Sequence, residues 1–233
     1  MIRKSQTQDN PSTPSIRFRP TVGHRLRKTV CAALAAAVVI AGAPAAFAFE
    51  ELAAGITLPP MPKPTPKPVG YKWIALSNGH PGYWAEKIAE EDGIETFKNS
   101  DGCQWAKAAG DSFAYSVRWD WCNGASGSAK VEMTGSPWPL SKGATWTSKI
   151  EGFSDRSGNY WDTELRCKVA DAVRVRVQAG EFDTYKVVCT DTWNVRTRYY
   201  APEIQATVYS VREHSSRSGR WEFVRQEFPD GKR

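Results

Sequence analysis

The chain has 233 residues, a formal net charge of +6, five cysteines and ten tryptophans. That length allows one domain or two small ones. The charge suggests nucleic acid or an anionic membrane, but its placement removes that reading: of 31 basic and 25 acidic residues, seven and one fall in residues 1–48, leaving 24 of each in the remainder. A neutral domain lacks the electrostatic footprint of a nucleic-acid binder.

Residues 1–48 have the three parts of a secretory signal. Arg25-Leu26-Arg27-Lys28 end a positive region, an uncharged stretch runs from Thr29 to Ala43, and Ala46-Phe47-Ala48 supply the small–x–small pattern for cleavage between Ala48 and Phe49. The stretch is alanine-rich and interrupted by Gly42 and Pro44, which suits a spanning helix poorly. The long positive region keeps an alternative open: an uncleaved anchor facing the periplasm, the one case in which a membrane is a partner. Cys31 follows Lys28-Thr29-Val30 rather than a lipoprotein pattern, so lipidation is not expected.

Residues 49–70 are expected to be a disordered linker. Leu58-Pro59-Pro60-Met61-Pro62-Lys63-Pro64-Thr65-Pro66-Lys67-Pro68 has too few backbone donors for helix or sheet. It reads as a polyproline spacer on the order of 30 Å long, or as a plain disordered N-terminus.

The folded domain is expected over residues 71–228, with 229–233 as a disordered tail. Pro81 to Glu91, with Trp84, Ile88 and its Glu/Lys content, reads as one short N-terminal helix ended by Asp92-Gly93. Thereafter the period is two. Phe113, Tyr115, Val117, Trp119 and Trp121 alternate with small or polar residues, which places them on one face of a strand. The same alternation marks Trp161 to Val169, Val173 to Val177, Phe182 to Tyr199 (with Trp193, Val195 and Tyr199 in the apolar set), Thr207 to Val211 and Trp221 to Val224. Turn residues fall at Gly135-Ser136-Pro137, Ser157-Gly158-Asn159, Ala179-Gly180 and Ser218-Gly219. Strands joined by short turns are antiparallel neighbours, so the fold class is mainly β: an antiparallel meander forming a curved sheet, half-barrel or barrel.

Four cysteines remain past the leader: Cys103, Cys122, Cys167 and Cys189. An even number in an exported chain reads as two disulfides. The local pairs Cys103–Cys122 and Cys167–Cys189 are favoured among three connectivities. A two-residue loop at Ala179-Gly180 leaves Cys167 and Cys189 three positions out of step. Their pairing therefore requires a bulge near Ala170-Asp171-Ala172, without which the crossed connectivities return. A zinc site is disfavoured, since no pair has CxxC spacing and only His80 and His214 remain as imidazoles.

Trp138-Pro139-Leu140-Ser141-Lys142-Gly143-Ala144-Thr145-Trp146, Val175-Arg176-Val177-Gln178-Ala179-Gly180-Glu181-Phe182-Asp183-Thr184-Tyr185-Lys186-Val187 and Arg198-Tyr199-Tyr200-Ala201-Pro202-Glu203-Ile204 resemble the signature of a family of uncharacterised proteobacterial envelope proteins. That family is similar in turn to periplasmic half-barrel domains of the lipoprotein-carrier type. The resemblance covers roughly residues 136–228 and implies a fold and a compartment, with no established chemistry. Gln205 departs from it, standing where glycine is common.

No catalytic motif is found, and no catalytic residue, metal or cofactor is expected. There is no G-x-S-x-G. His80 lies in a glycine–proline loop and His214 at a polar strand end beside Ser215-Ser216. Asp155 to Asn159 echoes a calcium loop but lacks its bidentate Glu. The aromatics carry the functional reading. Trp119, Trp121, Tyr160, Trp161, Tyr199 and Tyr200 are the candidate ligand-binding residues, because adjacent aromatics in a strand occupy both faces and exposed rings stack on sugars or line apolar pockets. The expected function is an exported, non-catalytic binding domain for a small hydrophobic or glycan ligand. An envelope-assembly or scaffolding domain is the alternative, and a hydrolase the second.

Overall fold

The structure, a computed structural model, describes residues 49–214, 216 and 218–231. The expected signal peptide, residues 1–48, lies outside the described residues. Thirteen strands follow in order: β1 Glu50–Ala54, β2 Lys72–Ser77, β3 His80–Glu91, β4 Ile94–Asn99, β5 Gln104–Ala108, β6 Arg118–Cys122, β7 Ala125–Gly135, β8 Thr145–Ser154, β9 Asn159–Val177, β10 Gly180–Thr190, β11 Asn194–Ala201, β12 Ala206–His214 and β13 Gly219–Glu227. From β2 to β13 each strand pairs antiparallel with the next, and β13 pairs with β2, from Trp221↔Ser77 to Glu227↔Lys72. The result is a closed up-and-down barrel of 12 strands, with β1 added along β9. Closure removes the unpaired edges that an open sheet would present.

The expected helix over Pro81–Glu91 is instead β3. Its Glu and Lys content suggested a helix, yet Ala85 and Lys87 are its two buried residues and Glu86 between them is not. That is a strand's alternation, and pairing with β2 and β4 on both edges overrides helix propensity. The expected strand over Phe113–Trp121 shortens to β6. Residues 111–117 form a loop that buries Phe113, and a positive φ of 54° at Trp121 turns that side chain out of phase.

The stretches read as separate strands over 161–169 and 173–177 are one 19-residue strand, β9. One edge of β9 pairs with β10. The other pairs with β8 along Asn159–Ser154 to Lys168–Thr145, then with β1 at Val173 to Arg176. The β9–β10 turn lies at Gln178-Ala179, one residue earlier than expected, with Gly180 already paired to Val177. That shift removes two of the three positions separating the cysteines from register. A single bulge at Ala170, between Lys186↔Asp171 and Val187↔Val169, removes the third. Cys167 and Cys189 then stand directly opposite and are joined, and Cys103 is joined to Cys122 at the end of β6.

The segment 49–70, expected as a free linker, is held along its length. The Phe49 ring stacks on Tyr209 at 3.8 Å. Met61 is buried and exchanges both backbone hydrogen bonds with Leu140, at 2.9 and 2.7 Å. The Tyr185 hydroxyl donates to the Pro59 carbonyl, the buried Lys87 ammonium to that of Lys67, and the Gly70 amide to that of Lys87. Proline suits such a strap because it brings no N–H needing a partner while its carbonyl still accepts. At the other terminus, Gly231 N–H donates to Phe228 at 3.0 Å, and the position a β-carbon would take on Gly70 is 3.1 Å from Pro229. Residues 229–231 of the expected tail are therefore placed, and 232–233 lie outside the described residues.

Inward residues at the strap end form an apolar core of Trp146, Cys167, Val169, Tyr185, Val187 and Tyr200, on which Met61 and Leu140 pack. A second cluster joins Val173, Val175, Val177, Phe182, Val208 and Phe223, with Phe49 packed against it. Outward residues of β8 and β9, such as Lys149, Glu151, Arg166 and Lys168, are charged and mostly exposed, the reverse of the apolar band on a lipid-spanning barrel. Among the described residues no helix is long and apolar enough to cross a membrane.

Candidate functional site

Eight strands give a barrel interior that side chains just fill, so 12 strands leave room. The interior here is solid beside β8–β10 and hollow elsewhere. The hollow has a volume of about 670 Å³, within the range of small-molecule sites. Pro64, Thr65 and Lys67 of the strap border it.

One wall is aromatic. Phe97 of β4, Trp105 of β5 and Trp119 of β6 are successive cross-strand partners and line the lumen, with Phe97 and Trp105 stacked at 5.6 Å. The row continues over two glycines. Gly127 is the partner of Trp119 and Gly152 that of Trp161, and a β-carbon on either would come under 3.0 Å from the facing indole. Each glycine thus lets an indole lie flat on the neighbouring strand, a known use of strand glycine. Trp161 is further held by Tyr115 at 6.3 Å and Trp119 at 6.4 Å.

Half the ring away, β11 and β12 present cations. Arg196, Arg198 and Arg212 all line the lumen. Arg196 and Arg212 are direct cross-strand partners, and Arg198 pairs with Ser210. Like charges directly opposite one another destabilise a sheet. The Arg198 guanidinium lies 5.8 Å from the centroid of the Phe113 ring. Its Nη1 and the Nε of Arg212 are buried without a hydrogen-bond partner among the described residues. Burial, with repulsion from Arg196, pulls the Arg198 pKa down to about 9, so it is still a cation at neutral pH. Burial and then Arg212 likewise lower Arg196, against a partial offset from Tyr115 and Asp191. Asp191 and Asp111 act on this group through space. Their carboxylates are occupied at turns: Asp191 accepts from the Trp193 and Asn194 amides at 2.7 and 2.8 Å, and Asp111 from Phe113 at 2.8 Å. A second charged group, beside the lumen, is fully paired, with Glu90 also bonded to Lys87. Glu95 bridges Lys107 at 2.9 Å and Lys87 at 3.5 Å, and burial lowers the pKa of Lys107 against the pull of Glu95.

Comparison with known proteins adds little to this geometry. No family model and no curated protein matches the chain. Among solved structures, the hypothetical lipoprotein YmcC from Escherichia coli (K12) is similar with a TM-score of 0.44 and 10% identity, over 68% of this chain and 84% of that one.

Of the six aromatics singled out by sequence, Trp119 and Trp161 line the lumen. Trp121 and Tyr160 point outward, 71% and 85% exposed. Tyr199 and Tyr200, expected on opposite faces with one of them exposed, are both buried. Tyr200 meets Phe113 at 5.5 Å, and Tyr199 is covered by Phe49 at 4.7 Å and donates to Glu51. Neighbours on a strand do take opposite faces, but β1 and the residue before it cover the second face here. The strand phase of β11 is also the inverse of that expected. Trp193 and Val195 are exposed, while Arg196, Arg198 and Tyr200 turn inward. The three arginines were therefore missed; the available signal was the parity that Arg196 and Arg198 share with Tyr200, and Arg212 stands opposite Arg196 on β12.

His80 is exposed at the start of β3. His214 Nδ1 lies 2.9 Å from Ser216 Oγ in an exposed pair two residues apart, outside the lumen lining. Asp155 accepts from the Ser126 amide at 2.7 Å as part of a turn. Among the described residues, no three His, Cys, Asp or Glu side chains gather as a metal group.

Proposed function

We propose that this chain is an exported, non-catalytic binding protein that takes a small molecule into its barrel lumen. The observation that carries the reading is the lumen itself: about 670 Å³, aromatic on one wall and cationic on another, in a barrel whose remaining interior is close-packed. A scaffold needs no hollow, and close packing is the default of protein interiors. The two disulfides suit an oxidising compartment, in line with the signal-like leader. Membership of the envelope family that the sequence resembles belongs to the same proposal. The ligand's place moves from the face of a sheet to the inside of the barrel, against Trp105, Trp119 and Trp161.

The test is native and then denaturing intact-mass analysis of the protein purified from the envelope of its own host. A mass beginning at Phe49, four hydrogens lighter for two bridges, with an adduct lost on denaturation, is expected. A cleaved, bridged protein that arrives without an adduct, and whose tryptophan fluorescence answers to no small-molecule extract of the envelope, overturns the binding reading in favour of scaffolding.

A further inference from the structure

The polarity of the lumen bears on the class of ligand as well as its existence, provided that the barrel is a binding protein as proposed. A cavity that took a neutral, purely apolar guest would have no use for three guanidinium groups on its wall. Two of them, Arg196 and Arg212, face each other across neighbouring strands, and the third is one inward position along. In a folded chain such charges are ordinarily paired or sent to solvent, because burying an uncompensated cation is expensive. Here the second charged group obeys that rule, with Glu95 set between Lys107 and Lys87 and Glu90 on Lys87 as well. The arginine group is less completely matched: Asp111 and Asp191 act on it only through space while holding backbone amides, and Arg198 Nη1 and Arg212 Nε keep buried N–H donors without an acceptor among the described residues. The contrast lies within one cavity.

We infer that the ligand is a small organic anion, whose carboxylate or phosphate is held by Arg196, Arg198 and Arg212 while its body lies on the aromatic row of Phe97, Trp105, Trp119 and Trp161. Guanidinium is the side chain whose planar fork matches the oxygens of those groups, and a low-dielectric lumen strengthens the bond. Phe113 under Arg198, at 5.8 Å, holds the fork from behind and brings no anion of its own. The indole faces accept either the flat apolar face of a sugar ring or an acyl chain. The anion's source is thus an acidic saccharide or an acyl amphiphile, two bodies carrying the same recognised group.

The experiment uses the mature, disulfide-bonded chain and reads tryptophan fluorescence and calorimetry with two matched pairs of probes. The pairs are 4-nitrophenyl glucuronide against 4-nitrophenyl glucoside, and decanoate against decanol. At least one anion is expected to bind tenfold or more tightly than its neutral partner at low salt. That preference should be lost in Arg198→Gln and in Arg212→Gln, with both variants keeping the wild-type near-ultraviolet spectrum and melting no lower than wild type. The member of the winning pair names the source. Equal affinity within both pairs, no binding of either anion at millimolar concentration, or a preference that survives both substitutions overturns the inference. A neutral adduct in the native mass spectrum together with any of these results sinks the anion while leaving the binding barrel standing. No adduct and no probe bound sinks both.

Discussion

The two sides of the barrel interior obey different rules. Beside β8, β9 and β10 the inward side chains are Trp146, Val169, Tyr185 and Val187, closed over by Met61 and Leu140. Across β4–β6 and β11–β12 the inward positions hold a row of aromatic rings facing a hollow and three guanidiniums that make no ion pair among the described residues. Nothing in the hydrogen-bonded ladder distinguishes the sides, since both are antiparallel meander. The difference lies in the side chains, and it teaches that one closed sheet can be stabilised on one arc and left costly on another. Each arc carries a disulfide, Cys167–Cys189 on the solid side and Cys103–Cys122 beside β5 and β6.

The largest expected effect falls on the solid arc. Trp146→Ala should cost about 3–5 kcal/mol, the range for removing a buried aromatic and leaving a cavity, measured as a fall in the urea midpoint at constant slope. Trp105→Ala on β5, whose indole lines the hollow, should cost less than half as much. Equal losses would erase the distinction between the arcs. Next, replacing both Cys167 and Cys189 by alanine opens a loop with a sequence separation of 22 and should cost about 3 kcal/mol by chain entropy. A loss near zero would mean that the ladder alone holds the solid arc.

The third effect has the opposite sign. Arg198→Met should stabilise the unliganded protein by about 1 kcal/mol, since an apolar side chain replaces a buried cation whose burial outweighs the through-space pull of Asp111. The pH dependence comes from the same burial. The folded pKa, about 9, is below the ordinary value of 12.5. Above pH 9 the folded state binds fewer protons than the unfolded one, so the charge penalty is present in full at neutral pH and eases as pH rises from 9. Wild type and Arg198→Met should therefore draw together in stability between pH 7 and pH 10. A gap that widens instead would show that Arg198 is compensated.

The smallest effect sharpens how β1 is attached. Burial raises the Glu51 pKa, but hydrogen bonds from Lys186 and Tyr199 outweigh it and hold the group below its usual 4.5. A depressed carboxylate stabilises the fold above its unfolded pKa, and that contribution is lost as pH falls through the folded value. For a pair about one-third exposed, the amount should be below about 1 kcal/mol. Glu51→Gln should show this loss at pH 7 and match wild type at pH 3. Hydrogen exchange at the β1 amides would track it directly.

Much of the fold was legible because period-two alternation and short turns allow little else. The meander and its antiparallel pairing came from those signals; the two local cysteine pairs were favoured among three connectivities, and the bulge that the second pair demanded lies at Ala170. Gln205, at the expected glycine position, adopts a φ of 51°, the backbone that glycine would have supplied. The site was much less legible. Alternation in β11 identifies two faces but does not say which one is inside, and a shift of one residue exchanges them all. Reading the apolar set of Trp193, Val195 and Tyr199 as inward was the natural choice, and it concealed the arginines. The glycines at 127 and 152 carry no local sign that an indole from the next strand will rest on them.

The sequence by itself determined that the chain is mainly β and that its alternating strands run antiparallel, and it favoured the two local cysteine pairs, because those depend on neighbours along the chain and on registers set by short loops. Tertiary structure alone decided that β13 returns to β2, that the proline segment lies against the barrel, and that Arg196, Arg198 and Arg212 share a lumen with the tryptophans. Each of these joins residues far apart in the chain, and each turns on which face of a strand is enclosed, a property that exists only once the ring has closed.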